Sequence, residues 1–187
     1  MRITGGKYRG RIIQCPPGVI RPAMDRMRES LFSILGNMDG CSFLDLFSGS
    51  GCVGIEAASR GAEPVHLVEM DRGKKQVISK NISIVESQIQ VFMMNVNRFI
   101  PTAKLQYDIV YADPPFPMGG KVALAQAVDT AGIVKPGGMF IIHYPAEEKS
   151  GWPEMIGDLE FRDERVYGRS LLRFYKRIEA QEVQDKQ

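Results

Sequence analysis

Asp113-Pro114-Pro115-Phe116 follows an apolar run containing Ile109, Val110 and Ala112, and lies downstream of the glycine loop Gly49-Ser50-Gly51-Cys52-Val53-Gly54. An exocyclic amine on a purine is a poor nucleophile, because its lone pair is delocalised into the ring. A carboxylate at Asp113 can accept a hydrogen bond from one N–H and the carbonyl of Pro114 from the other, favouring positive charge developing on nitrogen. Two successive prolines restrict the backbone and remove N–H donors, so this turn presents acceptors. Phe116 can stack on a base, a contact worth roughly 1–3 kcal/mol. Alone, the tetrapeptide reads as a rigid surface turn. Paired with a glycine loop at neighbouring strand ends, it suits methyl transfer to a nucleobase amine.

Gly49, Gly51 and Gly54 satisfy the spacing G-x-G-x-x-G, after a predicted strand and before a predicted helix, with Glu69 twenty residues past the first glycine. Such glycines permit a tight turn and close approach of backbone to a ligand, and Glu69 can accept hydrogen bonds from ribose hydroxyls. A dinucleotide would fit equally well on these grounds. Asp45, four residues before the first glycine, separates the readings: a fixed negative charge there repels a pyrophosphate and suits the ammonium group of a methionyl moiety. S-adenosylmethionine, with an ammonium, a sulfonium and no phosphate, is the expected cofactor. Asp45 capping the turn through backbone N–H groups is an equally good reading. Asn95 is placed to contact adenine and Val96 to pack on its ring; both read equally well as loop and helix-cap residues.

A chain of 187 residues, 44% hydrophobic and 25% charged, makes one well-buried domain. It lacks the roughly 18 consecutive apolar residues of a membrane helix and opens without an apolar signal segment, so a soluble, cytoplasmic protein is expected. Cys15, Cys41 and Cys52 are widely spaced, and His66 and His143 are the only histidines; this pattern predicts reduced thiols and no metal. Cys52, with no nearby histidine in sequence, reads as a small residue filling a crowded turn.

The elements that must position these residues alternate strand and helix, the pattern of a parallel sheet covered on both faces. The first 20 residues read as a basic arm or hairpin around Gly5-Gly6-Lys7-Tyr8-Arg9-Gly10, residues 21–178 as the main domain, and 179–187 as a polar tail. Met24, Met27, Leu31, Ile34, Leu35 and Met38 fall at helical spacing from Ala23 onward. Strands are predicted at Ser42–Leu46, Val65–Glu69, Ile89–Met93, Tyr107–Ala112 and Met139–His143. Helices are predicted at Val53–Arg60, Arg72–Val85, Asn95–Phe99 and Lys121–Ala131. Pro136-Gly137-Gly138 reads as a turn, and Glu160–Tyr167 with Leu171–Arg177 as a terminal antiparallel hairpin.

The net charge of +2 divides unevenly: residues 1–30 carry +5, residues 162–177 carry +4, and the remainder sums to −7. Solvated surface is the ordinary meaning of such runs; the arginine-heavy composition favours phosphate contacts. An RNA-facing surface is therefore expected from Arg2, Lys7, Arg9, Arg11, Arg21, Arg26 and Arg28, with Tyr167 and Arg169 of the hairpin.

Taken together, these residues resemble the class I S-adenosylmethionine-dependent methyltransferases, and more narrowly the bacterial RsmD-type small-subunit (16S) ribosomal RNA guanine-N2 methyltransferases. The likeness spans nearly the whole chain: Arg2-Ile3-Thr4-Gly5-Gly6, Arg9-Gly10-Arg11, Arg21-Pro22-Ala23-Met24-Asp25-Arg26-Met27-Arg28-Glu29-Ser30-Leu31-Phe32, Leu44-Asp45-Leu46-Phe47-Ser48-Gly49-Ser50-Gly51, Glu69-Met70-Asp71 and Asp113-Pro114-Pro115-Phe116. The block from Arg21 to Phe32 is the most specific. The resemblance implies a Rossmann-like α/β fold with a mostly parallel seven-stranded sheet, helices on both faces and a terminal antiparallel hairpin. It implies cofactor contacts at Asp45, Gly49, Glu69 and Asn95, and catalysis at Asp113, Pro114, Pro115 and Phe116; Phe47, Ser50, Gly51, Met70, Val96 and Asp113 are further expected cofactor contacts. It further implies ribosomal RNA as partner, within a small-subunit assembly intermediate, and a monomeric enzyme. Ala23 stands where the family commonly has Thr, and His143 occupies a strand end often acidic in relatives. Three other readings stay open: an adenine-N6 methyltransferase acting on DNA or another RNA, a nicotinamide-dependent oxidoreductase, and a nucleic-acid-binding module with a degenerate cofactor site.

Overall fold

The computed structural model describes residues 1–15 and 22–179. Five strands form the parallel part of one sheet: β1 (Phe43–Leu46), β2 (Val65–Val68), β3 (Ile89–Phe92), β4 (Tyr107–Ala112) and β5 (Val134–Pro145). β8 (Ser170–Arg177) joins β5 antiparallel, followed by β7 (Leu159–Tyr167) and β6 (Met155–Ile156). The order is β3-β2-β1-β4-β5-β8-β7-β6. Because β1 lies between β2 and β4, the direction of winding reverses there and opens a crevice at the carboxyl ends of those strands.

Every residue of β1 and β2 is buried, as expected where helices cover both faces. On one face, α1 (Pro22–Leu35), α2 (Cys52–Ser59) and α3 (Lys75–Ile82) bury Met27, Leu31, Phe32, Ala57, Ala58 and Ile78 against Phe43, Leu67, Ile109 and Ile141. On the other, α4 (Val96–Phe99) and α5 (Lys121–Thr130) bury Val96, Phe99, Leu124 and Val128 against Leu44, Leu46, Val110 and Ile142. Alternate residues of each strand thus serve opposite cores. No helix among the described residues is long and apolar enough to cross a membrane.

Two expectations are corrected. The sheet has eight strands, since Met155–Ile156 pairs with Leu159 and Glu160 at its edge; a two-residue strand is too short to show an alternating pattern. Pro136-Gly137-Gly138 lies within β5, where the β4–β5 register slips between Tyr107 and Ile109 and then resumes. Gly138 permits this, because a Cβ there would sit 2.8 Å from the Asp108 carbonyl oxygen.

The amino-terminal segment folds back with a single antiparallel bridge, Arg2 to Ile12, and docks on α2 and α3. Ile3, Tyr8 and Ile13 pack with Cys52 and Ile55, each large apolar side chain contributing about 1.5–3 kcal/mol. Gly6 crosses so close to α2 that a Cβ would sit 1.8 Å from the Ser59 carbonyl oxygen. The buried Glu56 accepts from the Thr4 and Gly5 amides and from Thr4 Oγ1. Asn81 accepts from the Gln14 amide and donates to the Gln14 and Ser50 carbonyls.

Candidate active site

A cavity of about 670 Å³ opens at the crevice beside the carboxyl ends of β1, β2, β4 and β5. The loop after β4 forms one wall with Asp113, Pro114, Pro115, Phe116, Pro117 and Met118. Opposite stand Phe47, Glu69, Met70, Asp71, Lys74, Asn95, Val96 and Asn97, and His143 and Ser170 complete the lining. Chain segments distant in sequence therefore converge on one pocket large enough for a nucleoside-sized ligand.

Six of the ten predicted cofactor residues line this cavity: Phe47, Glu69, Met70, Asn95, Val96 and Asp113. Phe47 sits there with a left-handed backbone at φ 66°, a conformation unusual for a bulky side chain and one that gathers at ligand sites. Glu69 is nearly buried at the end of β2. Its two oxygens accept the amides of Gly49 and Asp71, each at 2.8 Å, and Lys74 Nζ stands 3.3 Å away. The side chain of Asn95 caps α4 by accepting from the Asn97 amide at 2.8 Å, so the helix-cap role accounts for its oxygen.

Gly49, Ser50, Gly51 and Asp45 do not line the cavity. Of the two readings of Asp45, the structure shows the contact to the turn: Asp45 is 1% exposed and its carboxyl accepts from the Gly54 amide at 3.1 Å. Asp45 thus fixes the turn from beneath. Burial pushes this carboxyl well above the usual carboxylate range; the Gly54 hydrogen bond opposes that rise, and the nearby charges of Asp113 and Glu69 add to it. Gly54 leaves room for Leu67, whose Cδ2 would lie 2.2 Å from a Cβ at that position.

Asp113 follows β4 and keeps its amide bonded to the Leu46 carbonyl at 3.2 Å. The Met118 amide closes the next turn on the Pro115 carbonyl. Two partners of this loop were missed in the sequence. Lys121, with a 1% exposed side chain at the start of α5, donates to the carbonyls of Phe116 at 3.0 Å and Met118 at 2.6 Å and pairs with Glu148 at 2.7 Å. His143 Nδ1 lies 2.6 Å from Asp113 Oδ1. A buried lysine at a helix start carries no sequence signal, and His143 stood out only as a departure from the family pattern at a predicted strand end, with no partner assigned to it.

Three carboxylates, Glu69, Asp71 and Asp113, face Lys74 as the one ammonium group among the lining residues. That balance disfavours a pyrophosphate and suits a cationic ligand. Apolar surfaces of Phe47, Met70 and Val96 beside a buried carboxylate provide what an adenosine requires. The donor set fits S-adenosylmethionine.

The predicted RNA residues are scattered. Arg2, Lys7, Arg9, Arg11 and Arg26 are exposed, although Lys7 pairs with Glu86 at 2.6 Å, and Arg11 lies over the Tyr8 ring. Arg169, also exposed, pairs with Glu147 in the hairpin turn beside Ser170, a cavity-lining residue. Tyr167 donates to Ser30 Oγ. Arg21 lies outside the described residues. Arg28 is a correction: it is 3% exposed, donates to the Arg2 carbonyl and Cys52 Sγ, and faces Asp25 and Glu56. A guanidinium locked inside by the amino-terminal segment is not offered to phosphate.

Residues 1–176 match the family profile described as "Conserved hypothetical protein 95". The ribosomal RNA small subunit methyltransferase D of Escherichia coli (strain K12) is 34% identical over 99% of this chain and 93% of its own length. A solved Escherichia coli structure, named provisionally as the methyltransferase yhhF, is 32% identical with a TM-score of 0.85, covering 95% of this chain and 98% of that one. A ribosomal protein L11 methylase from Lactobacillus delbrueckii subsp. bulgaricus is 15% identical, with a TM-score of 0.73 over 91% of this chain and 88% of that one; it shares the fold alone. With its sheet order, its crevice and its sequence in agreement from end to end, the chain belongs to the family of the ribosomal RNA small subunit methyltransferase D proteins.

Proposed function

We propose that this protein is an S-adenosylmethionine-dependent methyltransferase acting on the exocyclic N2 amine of a guanine in small-subunit (16S) ribosomal RNA, in the cytoplasm and within a subunit-assembly intermediate. The observation that carries the reading is the convergence of Asp113, Pro114 and Phe116 with Glu69 and Val96 on one cavity, in a chain 34% identical to a named ribosomal RNA small subunit methyltransferase.

Glu69, Met70, Val96 and Phe47 would hold the adenosine end of the cofactor, which supplies an electrophilic methyl group when bound. Asp113 accepts a hydrogen bond from one amine N–H and the Pro114 carbonyl from the other, so the nitrogen lone pair turns out of conjugation as the bond to carbon forms. Phe116 stacks on the base and fixes its plane. Alignment is the larger contribution, since well-oriented groups supply about 7–11 kcal/mol without any covalent intermediate on the protein. Exposed Arg9, Arg11 and Arg26 and the Arg169 turn would contact the RNA backbone. The enzyme works as a monomer, with residues 21–178 as its methyltransferase unit.

Incubation with radiolabelled cofactor and unmodified small-subunit RNA or particles, followed by nucleoside mapping, tests this directly. Label is expected on guanine N2. Label on adenine, or none on any nucleic acid, overturns the reading. RNA affinity should fall with a log–log salt slope of about −0.7 per single-strand phosphate contacted.

A further inference from the structure

We propose that His143 is a positioning residue for methyl transfer, setting both groups that meet the base: the carboxylate of Asp113 and the ring of Phe116. The inference rests on the role given above to the Asp113–Phe116 loop.

Ala112 and Ile142 are register partners in the parallel β4–β5 pair, so Asp113, the first residue past β4, stands beside His143, from which β5 runs on to Pro145. His143 is 2% exposed. Its Nδ1 lies 2.6 Å from Asp113 Oδ1, and its ring meets that of Phe116 edge-on, with centroids 5.1 Å apart and planes at 65°. Nε2 is buried without a hydrogen-bond partner among the described residues. Here the single polar contact of a nearly buried ring goes to the acidic group of the pocket.

The direction of that bond follows from Asp113. Its side chain is 26% exposed and lines the cavity, where an ionised carboxylate has only acceptor oxygens. In the proposed pairing Nδ1–H donates. Oδ1 is held by the imidazole, and no described residue donates to Oδ2, which is left for an incoming amine. This reverses the familiar arrangement in which a carboxylate orients a catalytic histidine. Edge contact with Phe116 restrains the aromatic plane by the same ring. One side chain thereby couples the acceptor and the stacking face, whose relative placement determines where the amine nitrogen sits.

Two substitutions separate these contacts. His143→Phe keeps a ring beside Phe116 and removes the Nδ1 donor; kcat should fall on the order of 10- to 100-fold, with KM for RNA and affinity for S-adenosylmethionine within about 3-fold of the parent. His143→Asn keeps an N–H at the Nδ1 position and removes the ring; kcat should recover most of that loss while KM for RNA rises. Parent-like kcat in His143→Phe, or an equal loss of kcat in both variants with cofactor affinity unchanged, overturns the proposal. Imidazole 15N shifts of the parent protein give a readout independent of turnover and of the folding of either His143 variant. Protonation at Nδ1 that is perturbed in Asp113→Asn supports the assignment, and a ring protonated only at Nε2 refutes it. A parent that methylates no nucleic acid sinks the functional reading, while the 15N measurement still decides the pairing.

Discussion

Glu69 Oε2 accepts the backbone N–H of Gly49 at 2.8 Å, so the carboxylate at the end of β2 holds the glycine loop that follows β1. Through its other oxygen it also holds the Asp71 amide, and the two loops flanking the cavity share one anchor. Glu69→Ala is expected to weaken S-adenosylmethionine binding by roughly 10- to 100-fold, the range of one or two lost hydrogen bonds to a charged group. Isothermal calorimetry measures this. Unchanged affinity would mean that Glu69 serves the loops alone.

Lys121 performs the matching task on the opposite wall. Its ammonium group joins the Phe116 and Met118 carbonyls to Glu148 from a nearly fully buried position. Lys121→Met fills the space but leaves two carbonyls without their donor. Because Glu148 is 39% exposed and can rehydrate, a loss of about 1–3 kcal/mol is expected rather than the larger cost of stranding a buried charge. Denaturant unfolding should show that loss. Methyl transfer should fall by a larger factor than cofactor binding, since Phe116 moves with the loop; equal losses would place the effect in the cofactor pocket.

Strand periodicity made the parallel core legible, because β1, β2 and β4 carry near-continuous apolar runs and each ends in a residue that faces the crevice or its glycine loop. The Asp-Pro-Pro-Phe loop and Glu69 were legible for the same reason: their positions at strand ends fix their neighbourhood. For Asp45 the sequence left two readings open, a charge for the ligand and a cap for the turn. Sequence places it at the same strand end as the glycine loop, yet the side chain turns beneath that loop to the Gly54 amide, a choice set by one χ rotation that periodicity does not record. Arg28 was misread because its helix face is covered by the amino-terminal segment, a tertiary contact spanning 26 residues. Lys121 was missed because a long side chain can reach from a helix start into a loop interior, and no local pattern distinguishes that from solvent.

Cys52 is a direct test of packing against chemistry. Burial pushes its thiol up to about 12, partly offset by the Arg28 guanidinium, whereas Cys15 and Cys41 are partly exposed, although burial raises the Cys41 thiol as well. Only the thiolate reacts with alkylating agents. Native protein treated with iodoacetamide at pH 8 is expected to be labelled at Cys15 and Cys41 and spared at Cys52, and all three should react in guanidinium chloride. Mass spectrometry of the peptides reads the outcome. Prompt native labelling of Cys52 would show that the contact between the amino-terminal segment and α2 opens readily.

Asp45 gives a pH dependence of definite sign. Its folded-state pKa is raised well above the ordinary value of 3.8, first by burial and then by the charges of Asp113 and Glu69, against the opposing Gly54 hydrogen bond. The folded chain therefore holds this proton more tightly than the unfolded chain does, and the protonated carboxyl stabilises the fold. That contribution is complete below the unfolded value and is lost as pH rises through the folded one. Asp45→Asn cannot ionise and keeps an acceptor oxygen for the Gly54 amide. The stability of the parent relative to this variant should decline as pH rises from the ordinary value of 3.8 through the folded one, leaving the variant equal or more stable at neutral pH. Because Asp45 lies outside the cavity lining, affinity for S-adenosylmethionine should stay within about 3-fold of the parent, as expected when the hydrogen bond to the turn is kept. Urea titrations across that range, with calorimetry at pH 7.5, measure both. A relative stability that grows with pH would show that the carboxylate is stabilised in place, and a large loss of cofactor affinity would return Asp45 to the ligand.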